Sequence, residues 1–143
     1  MTNTATKSLF TMAEANKVLP LVRSIVTDVV TEFARMRDAT RERRALEVES
    51  AGSTGAQGLI ETLKTEVNER SVRIDGYVKE LNDLGVEVKD LERGLIDFPS
   101  LRGARQVFLC WELGEATVSH WHGTDETFKE RRPAGTAGEP RAQ

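Results

Sequence analysis

The spacing of apolar residues changes once along this chain, near Gly85, and divides it into two parts of different structure. Before that point Val18, Val22, Ile25, Val29, Phe33 and Met36 recur at steps of three and four, with a second row at Leu21, Val26 and Val30. Such steps keep side chains on one face of a helix. They predict a first helix from Thr11 to about Val48. Thr11-Met12-Ala13-Glu14 offers a capping box at its start, each of Thr11 and Glu14 taking the other's amide. Pro20 predicts a kink in the early turns. The last third, ARMRDATRERRALEVE, is rich in charge and predicts a solvated rod leaving the core. Glycines at 52, 55 and 58 break the pattern. A second helix then carries Ile60, Leu63, Val67, Ile74, Val78, Leu81 and Leu84, with Arg70 or Ser71 in the seam between Val67 and Ile74. Two long helices joined by a short loop predict an antiparallel hairpin, a short coiled coil.

After Gly85 the period falls to two. Val86 and Val88 alternate with Glu87 and Lys89, the pattern of a strand. Leu95 to Phe98 is a short apolar run closed by Pro99. Gln106 to Glu112 and Ala116 to His122 flank Leu113-Gly114, which predicts a tight hairpin. The fold class is therefore α+β: a long antiparallel two-helix hairpin (about 11–84) capped by a small, mostly antiparallel β-sheet (about 86–132). One domain spans 8–132, after a polar N-terminus (1–7) and before a tail (133–143) with the composition of a disordered segment.

Composition narrows the function. The length of 143 residues fits one domain. A net charge of −3 argues against a nucleic-acid partner. The one basic run, Arg35, Arg37, Arg41, Arg43 and Arg44, is interrupted by Asp38 and Glu42 and has no aromatic residue to stack a base, so it reads as a solvated helix face. A single Cys excludes an internal disulfide and fits the reducing cytoplasm. No apolar run approaches the roughly 20 residues that span a bilayer, and no signal peptide is visible.

Residues able to carry chemistry concentrate between Gly94 and His122, which holds the only Cys, both His and both Trp. His120 and His122 share a face of their strand, a spacing that suits two imidazoles on zinc or another transition metal, with Cys110 as a further ligand. Cys110 and Glu112 share a face of the partner strand. A two-residue turn at Leu113-Gly114 would pair Val107 with His120 and turn Cys110 away from the His pair; a slip of one residue would reverse that. Between Leu109 and Trp111, Cys110 also reads as a buried small hydrophobe. Trp111 and Trp121 read as core or interface aromatics, or as ligand contacts. Asp97, between Ile96 and Phe98, has three readings: a turn cap at Pro99-Ser100, a partner of Arg93, Arg102 or Arg105, or a buried carboxylate of shifted pKa beside His122.

The order LFTMAEANKVLPLV, charged helical hairpin, Gly94-Leu95-Ile96-Asp97-Phe98-Pro99, Leu109-Cys110-Trp111-Glu112-Leu113-Gly114-Glu115 and Trp121-His122 resembles a bacterial family catalogued as a domain of unknown function, number 2203. The likeness runs from about Leu9 to Pro133. That family usually has Gly where this chain has Thr127, and often an aromatic residue at His120, which leaves His122 the better site residue of the two. The resemblance implies the fold and brings no activity. Two functions stay open: a cytoplasmic interaction or regulatory module, binding a protein partner or itself as a homodimer through Leu21, Val26 and Val30; or a small metal-dependent or acid-base enzyme. In the second, Asp97 and His122 do the chemistry, Cys110, His120 and His122 hold any metal, and Arg93, Arg102, Arg105, Glu112, Trp111 and Trp121 contact the ligand.

Overall fold

The computed structural model describes residues 9–50 and 55–135; the expected polar N-terminus, most of the expected tail and the middle of the inter-helix loop lie outside the described residues. Helix α1 spans Met12–Glu49 and α2 spans Gln57–Asp83. They pack as an antiparallel hairpin. The capping box at Thr11 forms as expected: the Thr11 hydroxyl accepts from the Glu14 amide at 3.0 Å, and the Thr11 amide donates to the Glu14 carboxylate at 2.9 Å. Helix α1 runs uninterrupted through Pro20. In the seam between Val67 and Ile74 it is Arg70 that turns inward, donating to Glu32 of α1 at 2.8 Å and to Glu66 at 2.9 Å. These two hydrogen bonds, with the carboxylates behind them, push the Arg70 pKa up.

Five antiparallel strands follow in sheet order, β1 (Glu87–Asp90), β2 (Leu95–Arg102), β3 (Arg105–Glu112), β4 (His120–Gly123) and β5 (Arg132–Pro133). Their inner face carries Ile96, Phe98, Val107, Leu109, Trp111 and Trp121 onto Leu19, Val22, Ile25, Val26 and Val29 of α1 and Leu81 of α2. Further out, Ala39, Ile60, Leu63 and Ile74 are buried outside this core. The outer arm is thus held by helix–helix contact.

The row expected to carry a dimer does not form one open face. Leu21 is exposed, but Val26 is buried and Val30 packs against the core. Gly94, at φ 73°, brings the backbone so close that an added Cβ would lie 3.0 Å from Val26 and 3.1 Å from Val30. The periodicity placed this row on one stripe without showing that the sheet covers part of it.

Two strand boundaries differ from expectation. β2 runs through Pro99 to Arg102 instead of stopping at Phe98. β1 pairs with β2 only as far as Asp97, so the missing amide of Pro99 interrupts no ladder, and the Pro99 carbonyl accepts from the Phe10 amide at 2.7 Å. A two-residue turn at Gly103-Ala104 joins β2 to β3, with Gly103 at φ 62°. Between β3 and β4, by contrast, Leu113-Gly114 does turn, the Glu115 amide donating to the Glu112 carbonyl at 3.0 Å, but this turn does not close the hairpin: residues 113–119 form a loop pinned at several points. The Asn16 side chain of α1 donates to the Val118 carbonyl at 3.0 Å and accepts its amide at 2.8 Å, as a neighbouring strand would. The Trp111 indole donates to the Glu115 carbonyl at 3.0 Å, and Arg23 to that of Ala116 at 3.0 Å. No helix among the described residues is long and apolar enough to cross a membrane.

Candidate functional site

The longer loop changes the register. β3 and β4 pair Cys110 with His120 and Phe108 with His122, while β2 pairs Asp97 with Cys110. The expected pairing of Val107 with His120 is therefore wrong by an odd number of residues, and Cys110 does not face away from the His pair. Asp97, Phe108, Cys110, Glu112, His120 and His122 all lie on the outer face.

On that face Asp97 and His122 meet. His122 Nε2 lies 3.2 Å from Asp97 Oδ1, and both side chains are only 5 % exposed. His122 Nδ1 lies 2.8 Å from the Gly123 carbonyl. A carbonyl only accepts, so Nδ1 carries a hydrogen. A contact between Nε2 and the carboxyl oxygen then requires a second proton, held either by the imidazole or by Asp97. The pair is neutral in both arrangements. Burial pushes the Asp97 carboxyl up, against the opposing pull of His122 and Lys89. Asp97 Oδ2 has no hydrogen-bond partner among the described residues.

The pair lies in a cleft of about 360 Å³, with Leu95, Phe108 and Phe128 as apolar walls and Lys89, Asp90, Thr124, Glu126 and Thr127 also lining it. The Phe108 ring lies against His122 at 5.6 Å between centroids. The strap between β4 and β5 supplies the far wall. Glu126 fixes it, accepting two bonds from Arg132 at 2.8 and 2.7 Å and the Gly123 amide at 2.6 Å. Those bonds, Arg132 first, hold the Glu126 carboxyl down at about 2. A 3-10 turn at Phe128–Glu130 follows, opened by the Thr127 amide donating to Glu130 at 2.7 Å. Arg131 and Arg93 lie over the Phe128 ring, at 4.1 and 5.3 Å from its centroid.

The other expected site residues are placed elsewhere. Cys110 is fully buried and does not line the cleft; burial pushes its thiol up to about 11, with Arg131 and Asp97 as smaller influences. At neutral pH it is a thiol, not a thiolate. His120 hydrogen-bonds Ser119 at 3.0 Å and also lies outside the cleft. Arg93 is paired with Glu112 at 3.1 and 3.2 Å, behind Phe128. Trp111 is core. Arg102 and Arg105 lie over Trp121 on the inner face, 4.4 and 5.6 Å from its ring centroid, and so not beside Asp97. Among the described residues no group of three or more His, Cys, Asp and Glu side chains converges as a metal site would require.

Phe108, Phe128, Lys89 and the strap were not singled out in the sequence. Phe108 had a readable signal, since it alternates with Cys110 and Glu112 along one strand face. Thr127-Phe128-Lys129-Glu130 carries the Thr-x-x-Glu spacing of a capped turn. Nothing local said that this turn would fold back over the sheet.

The molecule is thus a helical-hairpin α+β protein with a polar pair sunk in the outer face of its sheet. It belongs to a family described as uncharacterized conserved protein (DUF2203), whose pattern matches residues 8–134. No curated protein and no solved structure matches the chain.

Proposed function

We propose that the cleft is the active site of a small acid-base enzyme, in which Asp97 exchanges a proton with a bound ligand through Oδ2 and His122 holds the counter-proton. One observation carries this reading. The Gly123 carbonyl commits His122 Nδ1 as a donor, so that a single proton must be shared at the buried Nε2–Oδ1 contact. A carboxyl whose affinity for protons is raised by burial is better suited to deliver and recover one than an ordinary aspartate. Leu95 and the two phenylalanines give apolar walls to the side where a ligand would sit. The metal-dependent form of the reading has less support, because both ring nitrogens of His122 are already engaged.

The test is ring-nitrogen NMR of His122 together with carboxyl-carbon NMR of Asp97 across a pH titration. We expect Nδ1 protonated throughout, and an Asp97 carboxyl that titrates above the ordinary aspartate range. Asp97→Asn should remove that step and leave Nδ1 protonated. A His122 ring protonated only at Nε2, or an Asp97 that titrates as a free aspartate, would overturn the reading.

A further inference from the structure

The charges around the cleft point to the class of ligand. Lys89 is paired with Glu87 at 3.0 Å. Glu126 is held by Arg132 at both oxygens. Asp90 Oδ1 accepts the amides of Glu92 and Arg93, both at 2.9 Å. Asp97 and His122 share one proton and cancel. Every charged side chain lining the cleft therefore has its own partner, an opposite charge for Lys89 and Glu126 and two amides for Asp90. An ionic ligand would have to shed water and compete with those partners for its counter-charge. What remains open is Asp97, whose Oδ2 has no hydrogen-bond partner among the described residues and which lines the cleft with Leu95, Phe108 and Phe128.

We infer that the cleft takes a small uncharged ring compound bearing one hydroxyl or N–H, which that atom engages. This rests on the acid-base reading and narrows it. An ionised Asp97 accepts the ligand's hydrogen; a protonated one donates to its oxygen or nitrogen. The ring lies against the sheet aromatic, Phe108, and the strap aromatic, Phe128. The volume suits a body of one or two rings.

The experiment compares three probes of one size on the full chain: phenol, benzoate and benzylamine, followed by amide and His122 ring NMR. Phenol should bind in the millimolar range and shift Leu95, Phe108, Phe128 and His122 together. Benzoate and benzylamine should bind about tenfold or more weakly, the scale of one unpaired charge in an apolar site. Phe128→Ala should weaken phenol while leaving the His122 protonation pattern unchanged. A charged probe that binds in the cleft as tightly as phenol overturns the ligand class. So does phenol that fails to bind, or that shifts resonances away from the cleft. None of these outcomes alters the tautomer of His122 in the free protein, so a failure here is distinguishable from failure of the acid-base reading itself.

Discussion

The two faces of the sheet are made by the same strands and solve opposite problems. The inner face alternates Ile96, Phe98, Val107, Leu109, Trp111 and Trp121 against the helical hairpin, an apolar surface closed by apolar partners. The outer face alternates with it and buries Asp97, Cys110 and His122 just as thoroughly, though no helix covers them. Their cover is a strap of fewer than ten residues held by ion pairs. Burying polar groups costs free energy unless they are bonded. The inner face needs no explanation beyond folding. The outer one keeps a buried carboxyl with an open oxygen at a cleft, and folding alone gives no reason for it.

Substitutions should separate the faces. On the inner side, Trp111→Ala removes a fully buried indole and its bond to the Glu115 carbonyl, at a cost of about 3–5 kcal/mol. Urea denaturation checks it, and a cost near that of a surface change would mean the inner face is not the main core.

On the outer side the expected sign is reversed. Asp97→Asn keeps the shape and can still donate to His122 Nε2. Burial raises the Asp97 pKa in the folded state, so the wild-type carboxyl adds stability fully at pH values below the unfolded aspartate range. That contribution is lost as pH rises through the folded value. The variant has no such loss. Its stability relative to wild type should therefore grow as pH rises above the ordinary value of 3.8 and then level off once pH has passed the folded value. Chemical denaturation at stepped pH measures the difference; a gap that shrinks with rising pH would contradict the buried-carboxyl account.

The same comparison shows what was legible from sequence. The inner face follows from period-two alternation and a helical stripe, both local signals, and the hairpin, its cap at Thr11 and a polar seam position at Arg70 or Ser71 could be read directly; the structure selects Arg70. The outer site depends on the β3–β4 register. Leu113-Gly114 looks like a tight turn, yet residues 113–119 are claimed by Asn16 and Arg23 of α1. A contact across about a hundred residues of chain thus decides which side of the sheet Cys110 shares with His122. The pairing of Asp97 with His122 was among the readings available, but the arginines expected beside Asp97 went elsewhere, because Arg102 and Arg105 fall on the opposite parity and turn to Trp121.

The strap gives a smaller effect. Glu126→Gln weakens its bidentate contact with Arg132 without touching the core. The melting temperature should stay nearly constant, while hydrogen exchange at the Gly123 amide, which Glu126 accepts, becomes faster. Unchanged exchange would show that the strap is held by something other than this pair.

The smallest effect falls on Cys110, which tests whether the outer face is open only at the cleft. Cys110 is buried below Arg131, and the Arg131 guanidinium is held by Glu115 at 3.1 and 2.5 Å. Burial raises the thiol to about 11. Its protonated form therefore dominates at pH 8, and attack needs a thiolate. A raised thiol pKa leaves stability independent of this group below the ordinary value of 9.0, and loses stability only as pH climbs from there toward 11. Two measurements follow. An aromatic disulfide reagent at pH 8 should leave the native thiol unmodified and react fully once denaturant is added. Cys110→Ala should show the same pH dependence of unfolding as wild type up to pH 9 and a shallower decline above it. Rapid labelling of the native chain would mean that the strap admits reagents well beyond Asp97 and His122, and the boundary between the reachable and the sealed parts of the outer face would have to move to include Cys110.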